Sequence, residues 1–133
     1  MLNTASLDTS AIVRVLVDEN SVERRKALRL LDQGLTFRIA DITLSETVYV
    51  LEGVYKKSRA EIGDLILFFL MRYADVIEYN QILVRAVLPF YLEHPKLSFN
   101  DCYLAAMAEL NGAEPLFTLD QKLANQHPSA KLI

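Results

Sequence analysis

Four acidic residues are the part of this sequence most able to carry out chemistry: Asp8, Glu46, Asp101 and Asp120. Each follows a short apolar, strand-like run or lies near the start of a predicted helix. In an open α/β sheet such positions meet at the carboxyl ends of the strands, where ligands bind. Four carboxylates gathered there repel one another and cannot all stay ionised without a cation. The pattern therefore predicts a cleft that holds a hard divalent metal ion through oxygen ligands.

Each of these acids also has a purely structural explanation. Asp8 and Asp120 stand where aspartate caps the start of a helix. Glu46 and Asp101 each lie three residues after a threonine or a serine, which is the spacing of a capping box. Helix N-termini favour carboxylates through their dipoles, and this effect also keeps the acids ionised for a metal. The capping and metal-binding interpretations are therefore compatible.

Strands and helices that could position these acids alternate along the chain. Strands are predicted at residues 2–7, 37–40, 76–77 and 116–118, with an edge strand at 131–133. Helices are predicted at residues 10–19, 22–33, 44–56, 58–73, 82–94, 101–111 and 121–125. Pro89 should kink or break the helix that contains it, because proline lacks an amide donor. The alternation predicts an α/β fold with a short, mostly parallel sheet flanked by helices.

Length and composition predict one globular domain over residues 1–133, since 52% of the residues are hydrophobic. A net charge of −3 argues against strong non-specific nucleic-acid binding by the whole surface. The single cysteine, Cys102, is typical of a core residue in a reducing compartment. The longest apolar run, residues 65–71, is too short to span a bilayer. We expect a cytoplasmic protein with no membrane partner, whose His94 and His127 lie in surface turns.

Four segments, one around each acid, resemble the motifs of a known family. They are residues 7–13, 44–51, 98–106 and 116–123. In their order and spacing they are similar to the PIN domain family, in particular to the VapC-like toxin ribonucleases of VapBC-type toxin–antitoxin pairs. The sequence departs from the family's motifs in two places. Asn100 precedes Asp101 where the family usually has a small residue, and Leu119 and Gln121 flank Asp120 where the family usually has other residues. Neither departure removes a carboxylate.

The resemblance implies a PIN-like α/β/α sandwich and an endoribonuclease that depends on Mg²⁺ or Mn²⁺. Asp8 and Asp101 would bind the metal, directly or through water. Glu46 and Asp120 would hold its waters, orient the attacking water or bind a second ion. The chemistry fits independently, because hydrolysis of a phosphodiester needs a nucleophilic water and positive charge at the phosphoryl oxygens. Supporting roles in orienting carboxylates or binding phosphate fall to Thr9, Ser10, Asn100 and Thr118.

The partners implied are an RNA substrate, a cognate antitoxin and a second copy of the chain. Arg14 and Arg25 are candidate RNA contacts, since phosphate binding needs positive charge. Homodimerisation is predicted through apolar helix surface at residues 62–73 and 82–91. The alternative is a catalytically silent PIN-like module that binds RNA or protein. Such a module would bind metal without cleaving RNA.

Overall fold

The computed structural model describes residues 3–17 and 19–133, and these divide into two compact units, Met1–Asn80 and Gln81–Ile133. The first unit contains β1 (Thr4–Ser6), α1 (Thr9–Leu16), α2 (Val22–Leu31), β2 (Thr36–Arg38), α3 (Asp41–Gly53), α4 (Arg59–Arg72) and β3 (Ile77–Glu78). The second contains a π-helical turn (Leu83–Val87), α5 (Leu88–Glu93), α6 (Phe99–Leu110), β4 (Leu116–Thr118), α7 (Gln121–Gln126) and β5 (Ala130–Leu132). Short parallel strands flanked by helices confirm the predicted α/β class.

The first unit contains a parallel sheet with the strand order β1-β2-β3, so its three strands run in the same direction. Its middle strand carries Phe37, which is 1% exposed. Beyond the strands the chain continues through buried Leu7 and Ile39 to Asp8 and Asp41, where α1 and α3 begin. Because parallel strands point the same way, both helices start at the same edge of this sheet. α1 also packs against α2, α3 and α4.

The second unit is built from the π-helical turn, α5 and α6, which pack together, and from a parallel pair of strands, β4 and β5. Its core includes Val87, Tyr91 and Cys102, each of which is fully buried. Burial of Cys102 agrees with the prediction of a core residue. His127 is buried as well and lies against the ring of Phe90 at 4.3 Å between centroids. The expectation that this histidine lies in a surface turn was therefore wrong.

Helix α3 begins three residues earlier than predicted, and the reason bears on Glu46. The predicted start rested on Thr43 and Glu46 as a capping box. The helix instead begins at Asp41 after Ala40, and the Thr43 amide already donates to the Ala40 carbonyl at 3.0 Å. Asp41 in the first turn is stabilised by the helix dipole. Glu46 therefore lies in the second turn of α3 and has no capping role.

Other boundaries follow their local signals. The Ser58–Glu61 capping box that starts α4 is present in both directions. Within the predicted helix at 82–94, a π-helical turn directly precedes α5, and Pro89 occupies the first turn of α5. Residue 2 of the first predicted strand and residue 18 of the first predicted helix lie outside the described residues. The predicted end of that helix at residue 19 was wrong, because α1 ends at Leu16 and Val17 is extended. Among the described helices, none combines the length and apolar character needed to cross a bilayer.

Candidate active site

Asp8 caps helix α1 and is held in one orientation by its neighbours. Its backbone is extended, and its carboxylate Oδ1 accepts hydrogen bonds from the Ser10 hydroxyl at 2.7 Å and from the Ala11 amide at 3.0 Å. The side chain is exposed to solvent. The capping explanation is therefore correct for Asp8. It does not compete with metal binding, because the cap presents an ordered and exposed carboxylate.

The same hydrogen bonds set the charge of Asp8. The Ser10 hydroxyl, and after it the Ala11 amide, lower the pKa of Asp8 below its ordinary 3.8 because both donors favour the ionised form. The folded pKa is thus below the unfolded one. Asp8 contributes stability that is fully present above pH 3.8 and is lost as the pH falls through the folded pKa. At neutral pH the carboxylate is ionised and ready to bind a cation.

Replacing Ser10 by alanine should raise the pKa of Asp8 towards 3.8, because it removes the strongest of the donors that lower it. NMR titration of the Asp8 side-chain carboxyl carbon measures the shift. Ser58→Ala is the matched control, since the Ser58 backbone amide and, after it, the Ser58 side chain lower the pKa of Glu61 in a different cap. The control should raise the pKa of Glu61 and leave Asp8 unchanged. An unchanged Asp8 titration in Ser10→Ala would contradict this account.

Glu46 is tied to the start of α1 by a side-chain hydrogen bond. The Thr9 hydroxyl donates to its Oε2 at 2.9 Å. Since Thr9 follows Asp8 directly in the chain, this bond brings the Glu46 carboxylate to the same end of α1 as Asp8. The sequence predicted both acids and the supporting threonine. The bond between Thr9 and Glu46 links two residues that are 37 positions apart.

A groove of about 450 Å³ opens between α1 and α3 beside these residues. It is lined by Asp8, Thr9, Ser10, Val13, Arg14, Val50, Val54 and Tyr55. The residues from the first turn of α1 are polar, whereas those from α3 and the segment just after it are mainly apolar. The helix predicted at residues 44–56 would have continued through Val54 and Tyr55. That prediction was too long, because α3 ends at Gly53, and Val54 is 69% exposed.

Asp101 and Asp120 belong to the second unit and differ in their local roles. Helix α6 is capped by the Ser98 side chain, which accepts from the Asp101 amide at 3.1 Å. The Asp101 carboxylate is therefore not the N-cap. Asp120 does cap α7, accepting from the amides of Lys122 at 2.9 Å and Leu123 at 3.3 Å. Its own amide donates to the Thr118 hydroxyl, so the predicted supporting residue orients Asp120.

The remaining predicted residues are exposed or partly exposed and are engaged locally. Arg14 forms an ion pair with Glu19 at 3.2 Å and also lines the groove. Arg25 donates to the Asn20 side chain at 2.8 Å. Asn100 is exposed in the first turn of α6. Arg14 is thus the candidate RNA contact that lies beside Asp8.

The donor chemistry of the predicted acids fits a hard divalent ion. All four offer carboxylate oxygens, and Asp8 is oriented and ionised. Within the described residues, no group of three or more His, Cys, Asp or Glu side chains is placed to form a metal cage. Mg²⁺ commonly takes only one or two protein carboxylates and keeps several of its waters. Asp8, whose carboxylate is exposed and oriented by two hydrogen bonds, can supply one such ligand within the first unit.

In a comparison with protein families, residues 5–126 match the PIN domain model. The chain belongs to the PIN domain family. The match covers all four predicted acids and extends over both compact units. It confirms the predicted family and fold class, and the PIN domain is generally a nuclease fold. No curated protein shows a significant match to this PIN domain chain.

Proposed function

We propose that this PIN domain is a metal-dependent endoribonuclease that hydrolyses phosphodiester bonds in RNA, with Asp8, Glu46, Asp101 and Asp120 as its catalytic acids. The observation that carries the proposal is the state of Asp8. Its carboxylate is oriented by two hydrogen bonds, has a lowered pKa and lies in an open groove, and the Thr9 hydroxyl holds Glu46 at the same end of α1. Family membership supplies the nuclease class. We also propose that residues 1–133 act as a single domain, since the family match continues across both units.

The four acids divide into two roles in this proposal. Asp8 and Asp101 bind a Mg²⁺ or Mn²⁺ ion, directly or through water. Glu46 and Asp120 orient water, and the hydrogen bonds from Thr9 to Glu46 and from Asp120 to Thr118 fix their positions. When bound, the ion supplies positive charge for the phosphoryl oxygens and makes water more acidic. The Ser10 hydroxyl orients the Asp8 carboxylate and lowers its pKa.

The test is cleavage of single-stranded or looped RNA by purified protein. Cleavage should require Mg²⁺ or Mn²⁺ and stop when EDTA is added. The silent-module alternative predicts metal and RNA binding without cleavage over a broad pool of RNA sequences. Cleavage that persists in EDTA would instead indicate a metal-free mechanism or a contaminating nuclease.

We propose further that the protein is the toxin of a toxin–antitoxin pair acting in the cytoplasm. A second groove, of about 260 Å³, lies among α1, α2 and α4. Its apolar lining includes Leu28, Leu65 and Phe69, and Arg24 and Arg72 add positive charge. Such a surface suits an amphipathic antitoxin helix with acidic residues. Expression should slow growth, and co-expression of a cognate antitoxin should relieve the effect in the wild type but not in Leu28→Glu.

Homodimerisation through α4 is the remaining proposal about partners. Leu67, Phe68 and Met71 are 36%, 71% and 77% exposed and form an apolar stripe on this helix. In the other region predicted for the dimer, the large apolar side chains Leu83, Val87, Leu88 and Tyr91 are buried. Burial of apolar surface drives association, so the stripe on α4 is the better candidate.

Replacing Met71 and Leu67 together by lysine should convert a dimer into a monomer, because two charges would be buried in the interface. Light scattering coupled to size-exclusion chromatography at micromolar concentration measures the mass. Ile42→Lys is the control, since Ile42 is 67% exposed on a different helix, α3. A monomeric wild type would remove the proposal, and an unchanged dimer in the double variant would exclude this stripe.

A further inference from the structure

The apolar wall of the groove beside Asp8 has no part in the proposed hydrolysis. Val50 follows Glu46 by four residues on the same side of α3, and Val54, the helical C-cap residue that follows α3, continues this line after four more. At 1.5 Å of rise per residue this line extends for about 12 Å from Glu46 to Val54. Val54 is 69% exposed although it lies next to a charged site. An apolar surface beside a proposed metal and phosphate site calls for an apolar part of the same ligand.

Tyr55 completes this wall, and the end of α3 fixes its position. The Tyr55 amide donates to the Val50 carbonyl at 3.3 Å, and the Lys57 amide donates to the Leu51 carbonyl at 3.0 Å. Between them Lys56 adopts a left-handed conformation, with φ of 54°. These bonds hold Tyr55 at the groove, where its partly exposed side chain forms part of the lining.

Arg14 supplies positive charge in the same groove. It pairs with Glu19 at 3.2 Å, and the two side chains are 41% and 40% exposed. An ion pair with that much exposure is weak, so an RNA phosphate can replace Glu19 as the partner of Arg14. The groove therefore offers the Arg14 cation, the Asp8 carboxylate and an aromatic and aliphatic wall to one ligand.

We infer that this wall binds the base of one nucleotide of the RNA substrate, which stacks on Tyr55 and contacts Val54 while Arg14 contacts a phosphate. The inference rests on the proposed function and names the substrate subsite beside its acids. Stacking on an aromatic ring tolerates any base, because every base has a π face. Lys56 and Lys57 follow directly in the chain and extend the positive charge for the RNA backbone.

Measuring the affinity for RNA tests the role of Tyr55 independently of the role of the acids in cleavage. The affinity is measured by fluorescence anisotropy of a labelled single-stranded oligonucleotide, with Asp8→Asn in every protein so that the RNA stays intact. Tyr55→Ala should weaken binding roughly tenfold, and Tyr55→Phe should bind nearly as well as its parent because the ring remains. Tyr49→Ala is the matched control, since Tyr49 is 77% exposed on α3 and is not among the groove residues.

An abasic nucleotide moved along the oligonucleotide tests the contact from the ligand side. At one position in the RNA, the abasic nucleotide should weaken binding to the parent protein. In Tyr55→Ala, an abasic nucleotide at that position should cause little further loss of affinity, as expected for partners in a double-mutant cycle. This scan remains informative if Tyr55→Ala proves unstable, because Tyr55→Leu keeps an apolar side chain without the ring.

The outcomes distinguish this inference from the proposed function. If the otherwise unmodified protein cleaves RNA, while Tyr55→Ala and Tyr55→Leu bind normally and no abasic position depends on Tyr55, the nucleotide subsite is wrong and the nuclease stands. If the Tyr55-dependent abasic position is found but metal-loaded wild type cleaves no RNA, the subsite stands and the nuclease proposal fails. Absence of RNA binding by every variant overturns both.

Discussion

Replacing Asp8 by asparagine should lower the rate of metal-dependent RNA cleavage by roughly 100-fold or more. A bound metal stabilises the transition state by several kcal/mol, and each ~1.4 kcal/mol corresponds to a factor of ten in rate. Single-turnover cleavage of labelled RNA in Mg²⁺ or Mn²⁺ measures the effect. Expression of the wild type should slow growth, whereas expression of Asp8→Asn should not.

The fold should survive this substitution for a reason that the structure makes specific. Asparagine is as good an N-cap as aspartate, and its carbonyl oxygen can accept the bonds that Ser10 and Ala11 donate to Asp8. The change therefore removes the charge and retains the cap. Circular dichroism and thermal unfolding should show a transition close to that of the wild type.

Two other asparagine variants serve as comparisons for the cleavage rate of Asp8→Asn. Asp120→Asn also keeps its cap, on α7, and should reduce the rate less if that residue only positions water, because another acid partly retains the ion. Asp32→Asn removes an exposed carboxylate at the end of α2 and should leave the rate unchanged. Cleavage of RNA by Asp8→Asn at the wild-type rate would contradict the proposed mechanism.

Sequence patterns located the acids because the signals there are local. An acid after an apolar run is visible in a few residues, and so are the Ser58 capping box and the break before Pro89. The same local reasoning failed at α3. Thr43 and Glu46 have capping-box spacing, but Asp41 and the bond from the Thr43 amide to Ala40 start the helix earlier. Both starts fit a local pattern of capping or helix-dipole residues, and such a pattern does not choose between them.

The groove was missed for a related reason. Val54 and Tyr55 have the helical spacing that follows the buried Val48 and Leu51. They would lie on the same buried face only if α3 extended past Gly53. The helix ends there, and the left-handed Lys56 redirects the chain. Gly53 was the one signal available for this end, since glycine weakens a helix interior. Contacts such as the bond between Thr9 and Glu46 depend on packing across many residues and have no local signal.

Combined replacement of Asp8 and Asp101 by asparagine should abolish Mg²⁺ and Mn²⁺ binding. Loss of a residue that only supports a metal ligand already costs roughly 10- to 100-fold in metal affinity, so loss of two proposed ligands should cost more. Isothermal titration calorimetry measures the affinity for each ion. Asp8→Asn alone should retain weak binding if Asp101 is a second ligand.

A double variant with the same change in charge distinguishes metal binding at a defined site from general attraction of the ion to a negatively charged protein. Asp8→Asn/Asp32→Asn removes the same number of carboxylates, but Asp32 lies at the end of α2, outside the proposed ligand set. If the ion is drawn only by overall negative charge, both double variants should lose the same affinity, and that loss should largely disappear at high salt. If Asp8 and Asp101 are ligands, only Asp8→Asn/Asp101→Asn should lose all binding. Equal metal affinity in that variant and the wild type would remove both residues from the metal site, whatever their effect on cleavage.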